Sequence, residues 1–517
     1  MDLWTKEVQI NKQGKNVEDQ FVIDEDVNVP DSKRDVVRII ASKGVMKPDE
    51  IRRVENYVCV KGKLEYQVLY VGEGLEPTLS SLEGRIPFEE MVYAEEEQEN
   101  YDVKEMRVEL HSSIIHSRKI RMKALVELEL LTRKEVLEEI PLDVEGGSLL
   151  KKKRTLDLLL LHEKKKDTYR IKEEIILPGT KETIGTLLWT DIQNRKLDTK
   201  LEMDDFVIIG ELFVFCFYES PDGKIDWIEQ VVPYQGRITC DGAEPTMYHE
   251  VHAELEEAYA EVRMDEDGEM RVVGVEGTLK LFITIYKEEQ IEILEDVYSL
   301  EKQCKLEHKE VLCEKLILQN HSKCKVAQKL SLPELRGNVL QVCHSRGMIQ
   351  LDQMKCTEEG LVVEGALHIS FLYVKANDEV PFDTWHGVVP FSYLIECKEN
   401  LACMSYHISP LLEQLSVTLL GGDEVEVKAV LAFHSFFRES KMKTMIQSVE
   451  LEPLEVKEME KRPGVIGYIV KQEDDLWMLA KRYGTTMESI QEVNGISDAA
   501  LKVGDRILIF RENMSIL

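Results

Sequence analysis

Val58-Cys-Val-Lys-Gly62-Lys-Leu64-Glu-Tyr-Gln-Val-Leu-Tyr70 is matched twice further along the 517-residue chain. The second copy is Val207-Ile-Ile-Gly210-Glu-Leu212-Phe-Val-Phe-Cys-Phe-Tyr218 and the third is Leu361-Val-Val-Glu-Gly365-Ala-Leu367-His-Ile-Ser-Phe-Leu-Tyr373. Each copy places Leu two residues and Tyr eight residues after its glycine, and the glycines are 148 and 155 residues apart. A repeat at that spacing predicts separate domains of one kind rather than the short stacked units of a solenoid.

Other landmarks fall in the same order around each copy. Pro87-Phe88, Pro233-Tyr234 and Pro390-Phe391 follow the glycines by 25, 23 and 25 residues, and turn-like stretches such as Ser220-Pro-Asp-Gly223 lie between. This predicts a strand, a hairpin turn and a second strand entered through proline, whose missing donor is tolerated at an edge or a first position. Upstream, Pro30, Pro178 and Pro333 each precede a β-branched residue, Val36, Ile184 and Val339, by six positions. Each unit closes on an alternating strand: Ile120 to Leu130, Val272 to Ile285, and Val425 to Phe433. Alternation with a period of two buries one face and wets the other. The fold class expected is therefore mainly β, with three tandem sandwich or barrel-like domains at 1–145, 165–300 and 310–452, and helical or irregular connectors near 145–170 and 300–312. Lysines at Lys151 to Arg154 and Lys164 to Lys166, flanking Leu158 to Leu161, read as a solvated linker. The repeat glycines and tyrosines are structural: a strand glycine marks a bulge or close approach, and an aromatic at a fixed offset packs in the core.

After a charged linker, 453–463, the pattern changes to strand, helix, helix, strand over 464–512. Tyr468-Ile-Val470 is a short strand; Asp475 caps Leu476 to Tyr483, and Gly484 suits a left-handed C-terminal cap. Thr485-Thr-Met-Glu488 opens a second helix ended by Asn494-Gly495, and Leu501 to Phe510 supplies a turn and a closing strand.

Composition bounds the function. With 97 acidic against 65 basic residues the formal charge is −32, which repels nucleic-acid phosphates and anionic headgroups. The N-terminal Met1-Asp-Leu-Trp-Thr-Lys-Glu carries charge where a secretory leader needs an apolar run, and the most apolar segment, Phe206 to Tyr218, is too short to span a bilayer as a helix. Ten scattered cysteines without a Cys-x-x-Cys pair suit a reducing compartment. Cys304, His308, Cys313, His321 and Cys324 offer soft ligands, but their spacing fits no standard zinc pattern, and no metal or cofactor is expected. No phosphate loop, His-Glu-x-x-His or Gly-x-Ser-x-Gly occurs, so no catalytic residue is assigned and the chain reads as a non-enzyme.

The C-terminal segment resembles the LysM family in Tyr468, Leu476, Ala480, Gly484, Thr486, Ile490, Asn494, Leu501, Gly504 and Ile507, among others. The resemblance implies a βααβ fold and a shallow groove for N-acetylglucosamine-containing glycans between two loops, here 472–476 and 494–500. Glu473-Asp474-Asp475 stands where the family usually has Gly-Asp-Ser/Thr, and the 499–500 region replaces the usual proline. Replacing that glycine by an acid adds bulk and charge, which favours a protein ligand over a neutral sugar. The candidate partner- or glycan-binding residues are Glu473, Asp474, Asp475, Leu476, Trp477, Asn494, Gly495 and Ile496.

The glycine repeats with their Pro-aromatic strands resemble SPOCS domains of sporulation proteins. SPOCS domains followed by a terminal LysM resemble the SipL-like family of spore coat morphogenesis proteins. That likeness implies a non-enzymatic scaffold for endospore coat assembly in the mother-cell cytoplasm, at the forespore surface and in the spore coat. It further implies that the LysM holds a SpoIVA-like coat ATPase, with other coat proteins as further partners. The alternative is a wall-associated protein that binds peptidoglycan through its LysM.

Overall fold

The computed structural model describes residues 2–13, 16–74, 78–94, 101–131, 133–146, 148–335, 338–376, 380–399, 404–453, 464–496 and 501–511. The first part contains β1 (Asp2–Gln13), β2 (Val17–Asn28), β3 (Val36–Val54), β4 (Tyr57–Gly72), β5 (Thr78–Tyr93), β6 (Asp102–His116), β7 (Lys119–Leu131) and β8 (Arg133–Glu145). The second contains β9 (Leu149–Ile176), β10 (Thr186–Glu202), β11 (Asp205–Glu219), β12 (Ile225–Thr239), β13 (Tyr248–Met264) and β14 (Met270–Ser299). The third contains β15 (Lys302–Ser331), β16 (Val339–Cys356), β17 (Gly360–Lys375), β18 (Phe382–Glu396), β19 (Met404–Gly421) and β20 (Glu424–Pro453).

Each repeat is a sandwich of two three-stranded antiparallel sheets. The first sheets are β3-β4-β5, β10-β11-β12 and β16-β17-β18; the second are β2-β7-β6, β9-β14-β13 and β15-β20-β19. Alternation builds the cores: Ile120, Met122, Ala124, Val126, Leu128 and Leu130 of β7 all point inward and are fully buried against β4. Gly62, Gly210 and Gly365 lie on the three central strands, opposite Pro48, Leu197 and Leu351; the neighbouring strand bulges at Pro48 and at Leu351 and, in the second repeat, between Asn194 and Lys196. A side chain there has no room. A Cβ on Gly210 would meet the Tyr234 hydroxyl at 2.2 Å and the Lys196 carbonyl at 2.4 Å, and on Gly365 the Gln350 carbonyl at 2.2 Å and Phe391 at 2.9 Å. The aromatic of each Pro-aromatic pair therefore lies across the repeat glycine. The prolines sit within the edge strands β5, β12 and β18 rather than at their starts, on strands with one unpaired side.

The connectors expected near 145–170 and 300–312 are strands. β9, β14, β15 and β20 are 28 to 30 residues long, so the expected boundaries at 165 and 310 fall inside continuous elements. One part of each strand belongs to a sandwich and the other continues outward as a two-stranded ribbon, with irregularities between Ile285 and Tyr286 and between Leu316 and Leu318. β1 and β8 form the corresponding ribbon of the first repeat. The run Leu156 to Leu161 is not a solvated linker: Leu156, Leu158 and Leu160 bury one face against Ile10, Ile140, Ile291 and Val311 of the other ribbon strands, Leu159 and Leu161 bury the other against Tyr286 and Phe436, and the flanking lysines remain at least partly exposed. Ten or more apolar side chains are removed from water there, each stabilising by roughly 1.5–3 kcal/mol before chain entropy is counted.

Equivalent positions of the three repeats meet. Leu69, Phe217 and Leu372, each preceding its repeat tyrosine, share one core with Ile40, Leu188 and Cys343. The sandwiches thus close on one another around a pseudo-threefold axis. Lys43, Asp191 and Arg346 are equivalent as well, paired with Gln67, Phe215 and Ser370, each five residues after the repeat glycine. They converge: Arg346 lies 3.9 Å from Asp191, and the Lys43 ammonium donates to the Thr190 carbonyl. His344 bridges Asp191 at 3.0 Å and Glu229 at 3.2 Å and stacks on Phe215 with centroids 4.0 Å apart. Burial acts to raise the Asp191 carboxyl, but Arg346, His344 and Lys43 outweigh it and hold it far below the usual range. Burial brings Lys43 down to about 8.

β15 spreads Cys304, His308, Cys313, His321 and Cys324 along twenty residues of extended chain, on the order of 65 Å, so the five do not converge. Nine cysteines are free in the structure, and Cys403 lies outside the described residues.

Candidate partner-binding site

The C-terminal module follows a linker of which 454–463 lie outside the described residues. It consists of β21 (Val465–Ile469), α1 (Leu476–Tyr483), α2 (Met487–Asn494) and β22 (Arg506–Phe510), with β21 and β22 antiparallel. Both helices are bounded as their capping residues require. Asp475 accepts from Met478 N–H at 2.5 Å and Thr486 from Ser489 N–H at 3.1 Å, while Gly484 and Gly495 take the left-handed C-terminal conformation.

The structure gives most candidate residues internal duties. Asp474 turns onto its own loop, accepting from the Lys471 N–H at 2.8 Å and the Tyr468 hydroxyl at 2.9 Å, and these bonds, the backbone one first, hold its carboxyl below the usual range. Asp475 caps α1 and pairs with Lys152 at 3.3 Å. Leu476 is buried, and Ile496 packs against the module's core. The Asn494 amide donates to the Ile490 and Leu508 carbonyls and accepts from Leu508 N–H, binding α2 to the outer edge of β22. Glu473 alone of the acidic run is exposed without such a role, and its φ of 72° is the left-handed conformation that favours glycine. The family's glycine thus has a conformational reason, and this chain holds the same backbone with an acid. Residues 497–500 of the second loop lie outside the described residues.

Trp477 has a role the sequence did not announce. Its indole N–H donates to Asp296 at 2.8 Å and its ring meets Tyr298 edge-on at 4.8 Å, both on the outer end of β14. Lys481 donates to the other Asp296 oxygen at 2.6 Å, and the Tyr298 hydroxyl donates to the Thr485 carbonyl at 2.9 Å. Burial acts to raise the Asp296 carboxyl; the bonds from Lys481 and Trp477 outweigh it and hold the group below its usual range. The module is therefore docked by α1 on the tip of the second repeat's ribbon, leaving the outer face of the β21–β22 hairpin turned to solvent. That exposed face was also missed; its signal is that the strands are apolar on both faces, as in Ile507-Leu-Ile-Phe510.

The architecture defines a class, a protein of repeated β-sandwiches carrying a small βααβ binding module. The LysM domain model matches residues 468–510, and the model described as SipL, SPOCS domain matches residues 35–116, 183–263 and 338–420. The chain accordingly has the SipL-like architecture, three SPOCS domains followed by a terminal LysM domain. Both are non-catalytic domain families, of a kind found in a coat-associated scaffold or a wall-binding protein. Each SPOCS match spans four strands, β3–β6, β10–β13 and β16–β19, so the strands that complete each sandwich lie outside the matched segment. No curated protein and no solved structure matches the chain. No helix among the described residues is long and apolar enough to cross a membrane.

Proposed function

We propose that the protein is a non-enzymatic scaffold of endospore coat assembly, acting in the mother-cell cytoplasm at the forespore surface and remaining in the coat. Its LysM module holds a SpoIVA-like coat ATPase, and the closed three-repeat body offers further faces to other coat proteins. The observation that carries this reading is the left-handed Glu473 in the first LysM loop: where a glycine would admit a sugar to the backbone, this chain presents a carboxylate. Fixing the module on the ribbon through Trp477 and Asp296 also gives it a set orientation, which suits a scaffold more than a tethered sugar-binding domain. The strongly acidic chain is a poor ligand for nucleic acid.

Capture of the purified ATPase by the full chain, and by a chain ending at Pro453, tests the reading. The expected result is capture by the first alone. Equal capture by both would refute it, and co-sedimentation of the full chain with purified peptidoglycan, lost on removing the module, would establish the wall-binding alternative instead.

A further inference from the structure

The candidate contact residues at the start of α1 are already covered by the protein's own ribbon. Lys152 pairs with Asp475 at 3.3 Å, and Trp477 and Leu476, 6 and 9% exposed, share an apolar cluster with Tyr298, Leu150 and Leu300. Glu473 stays exposed beside this contact. Part of the first LysM loop and the first turn of its helix therefore have an occupant within the chain.

The covering surface is compact. In the pairing of β9 with β14, Asp296 lies opposite Lys152 and Tyr298 opposite Leu150, so the four side chains share one face at the end of the ribbon. Trp477 and Lys481, one turn apart on α1, direct the indole N–H and the ammonium to the two oxygens of Asp296. The Tyr298 hydroxyl closes the far end of the contact on the Thr485 carbonyl. A buried tryptophan set among half-open charges is the composition of a protein-binding hot spot. Here that hot spot is turned inward.

The module has the means to exist apart from the ribbon. Leu479, Ala480, Ile490, Ile507 and Ile509, at most 3% exposed, form a core of its own, and both helices carry their own caps. The linker 454–463 adds ten residues, roughly 35 Å at full extension, which permits departure from the tip. A tether of that length also holds the ribbon as an internal competitor at an effective concentration on the order of millimolar.

We propose that the docked LysM is an autoinhibited state, in which the ribbon tip occupies the partner-contact face of α1 and the partner binds the module released from it. This rests on the LysM being the partner-binding module and makes the docked orientation the resting one. Partner affinity is then scaled by the fraction of molecules whose module is free.

The test uses the full chain and the purified ATPase. Asp296→Ala with Tyr298→Ala opens the dock from the ribbon side and alters no LysM residue. Capture by this variant should be about tenfold tighter than by wild type, with the unfolding midpoint of the repeats unchanged. Lys152→Glu, which makes the contacts with Asp475 and with Glu295 at 3.6 Å repulsive, should shift capture in the same direction. In wild type, adding the ATPase should speed hydrogen exchange at 296–299 while slowing it at 475–481. Equal or weaker capture by both ribbon variants, or exchange at 296–299 that stays as slow in the complex as in the free chain, would overturn autoinhibition and leave the LysM as the binding module. Capture that survives removal of everything after Pro453 would sink the underlying reading instead.

Discussion

The axis where the three repeats meet and the dock where the LysM rests on the ribbon are both built from an aspartate, cations and aromatics, yet they differ in burial. At the axis the Asp191 and His344 side chains are only 5 and 7% exposed, and the charges sit beside Phe215 and Trp189 within a continuous apolar core. At the dock Asp296 is 24% and Lys481 37% exposed, and Lys152 and Asp475 are 36 and 46% exposed. In the buried setting each charge depends on its partners, because losing one leaves the rest desolvated. In the open setting water replaces a lost partner, so the contact orients more than it stabilises. The axis defines the body, and the dock is expected to act as a joint, with Trp477 and Tyr298 buried at its centre and its charges at the rim.

Asp191→Ala should break the axis. It leaves Lys43, His344 and Arg346 without their shared counter-charge and should destabilise the repeats by about 3–5 kcal/mol in urea unfolding. A loss below about 1 kcal/mol would place the axis in the same class as the dock. Within one repeat, Gly210→Ala should cost about 1–3 kcal/mol, because Tyr234 and the Lys196 carbonyl must both move, and that cost should appear in the repeats while LysM docking is unchanged.

Acid sharpens the contrast. A cavity of about 440 Å3 between the second and third repeats is lined by His249, His321, His407 and His434. Burial holds His249 down at about 4 and His434 at about 3, with His321 adding to both shifts. A histidine whose folded value is depressed binds fewer protons folded than unfolded, so stability falls as pH drops from 6.5 towards those values. His344 has the opposite sign: its raised value contributes stability below 6.5 that is lost as pH rises through it. Burial also holds His321, His368 and His386 down, and five depressed histidines against one raised predict a net lower unfolding midpoint for the repeats at pH 4.5 than at pH 7. The lowered Asp296 contributes stability that is lost only as pH falls through its folded value, below 3.8, so the dock should hold over that range. Intrinsic fluorescence of Trp477, followed in a chain whose other tryptophans are replaced, would reveal undocking that precedes repeat unfolding if this order is wrong.

The smallest effect belongs to the joint. Tyr298→Phe removes the bond to the Thr485 carbonyl and should cost about 1 kcal/mol or less of docking, seen as faster exchange around Thr485 and quicker proteolysis of the preceding linker, with no change in repeat stability.

Much of this molecule is determined by local rules that the sequence carries openly. Alternation in Ile120 to Leu130, the glycine forced by a close aromatic, and the Asp475, Gly484, Thr486 and Gly495 caps each depend on residues within a strand, a hairpin or one helical turn. These were sufficient to number the repeats and to place the LysM helices. The long-range contacts were not legible. Nothing in Leu156 to Leu161 says which ribbons it meets, and a leucine run flanked by lysines reads equally as a linker when the burying partners, Ile10 and Val311, are some 150 residues away in either direction. The same holds for Trp477, whose partner Asp296 is 181 residues distant, and for Lys43, Asp191 and Arg346, which become a cluster only when three equivalent strands turn to one axis. Side-chain period and capping chemistry are set by neighbours along the chain, whereas burial and charge pairing are set by what the fold brings alongside, and that only the tertiary structure decides.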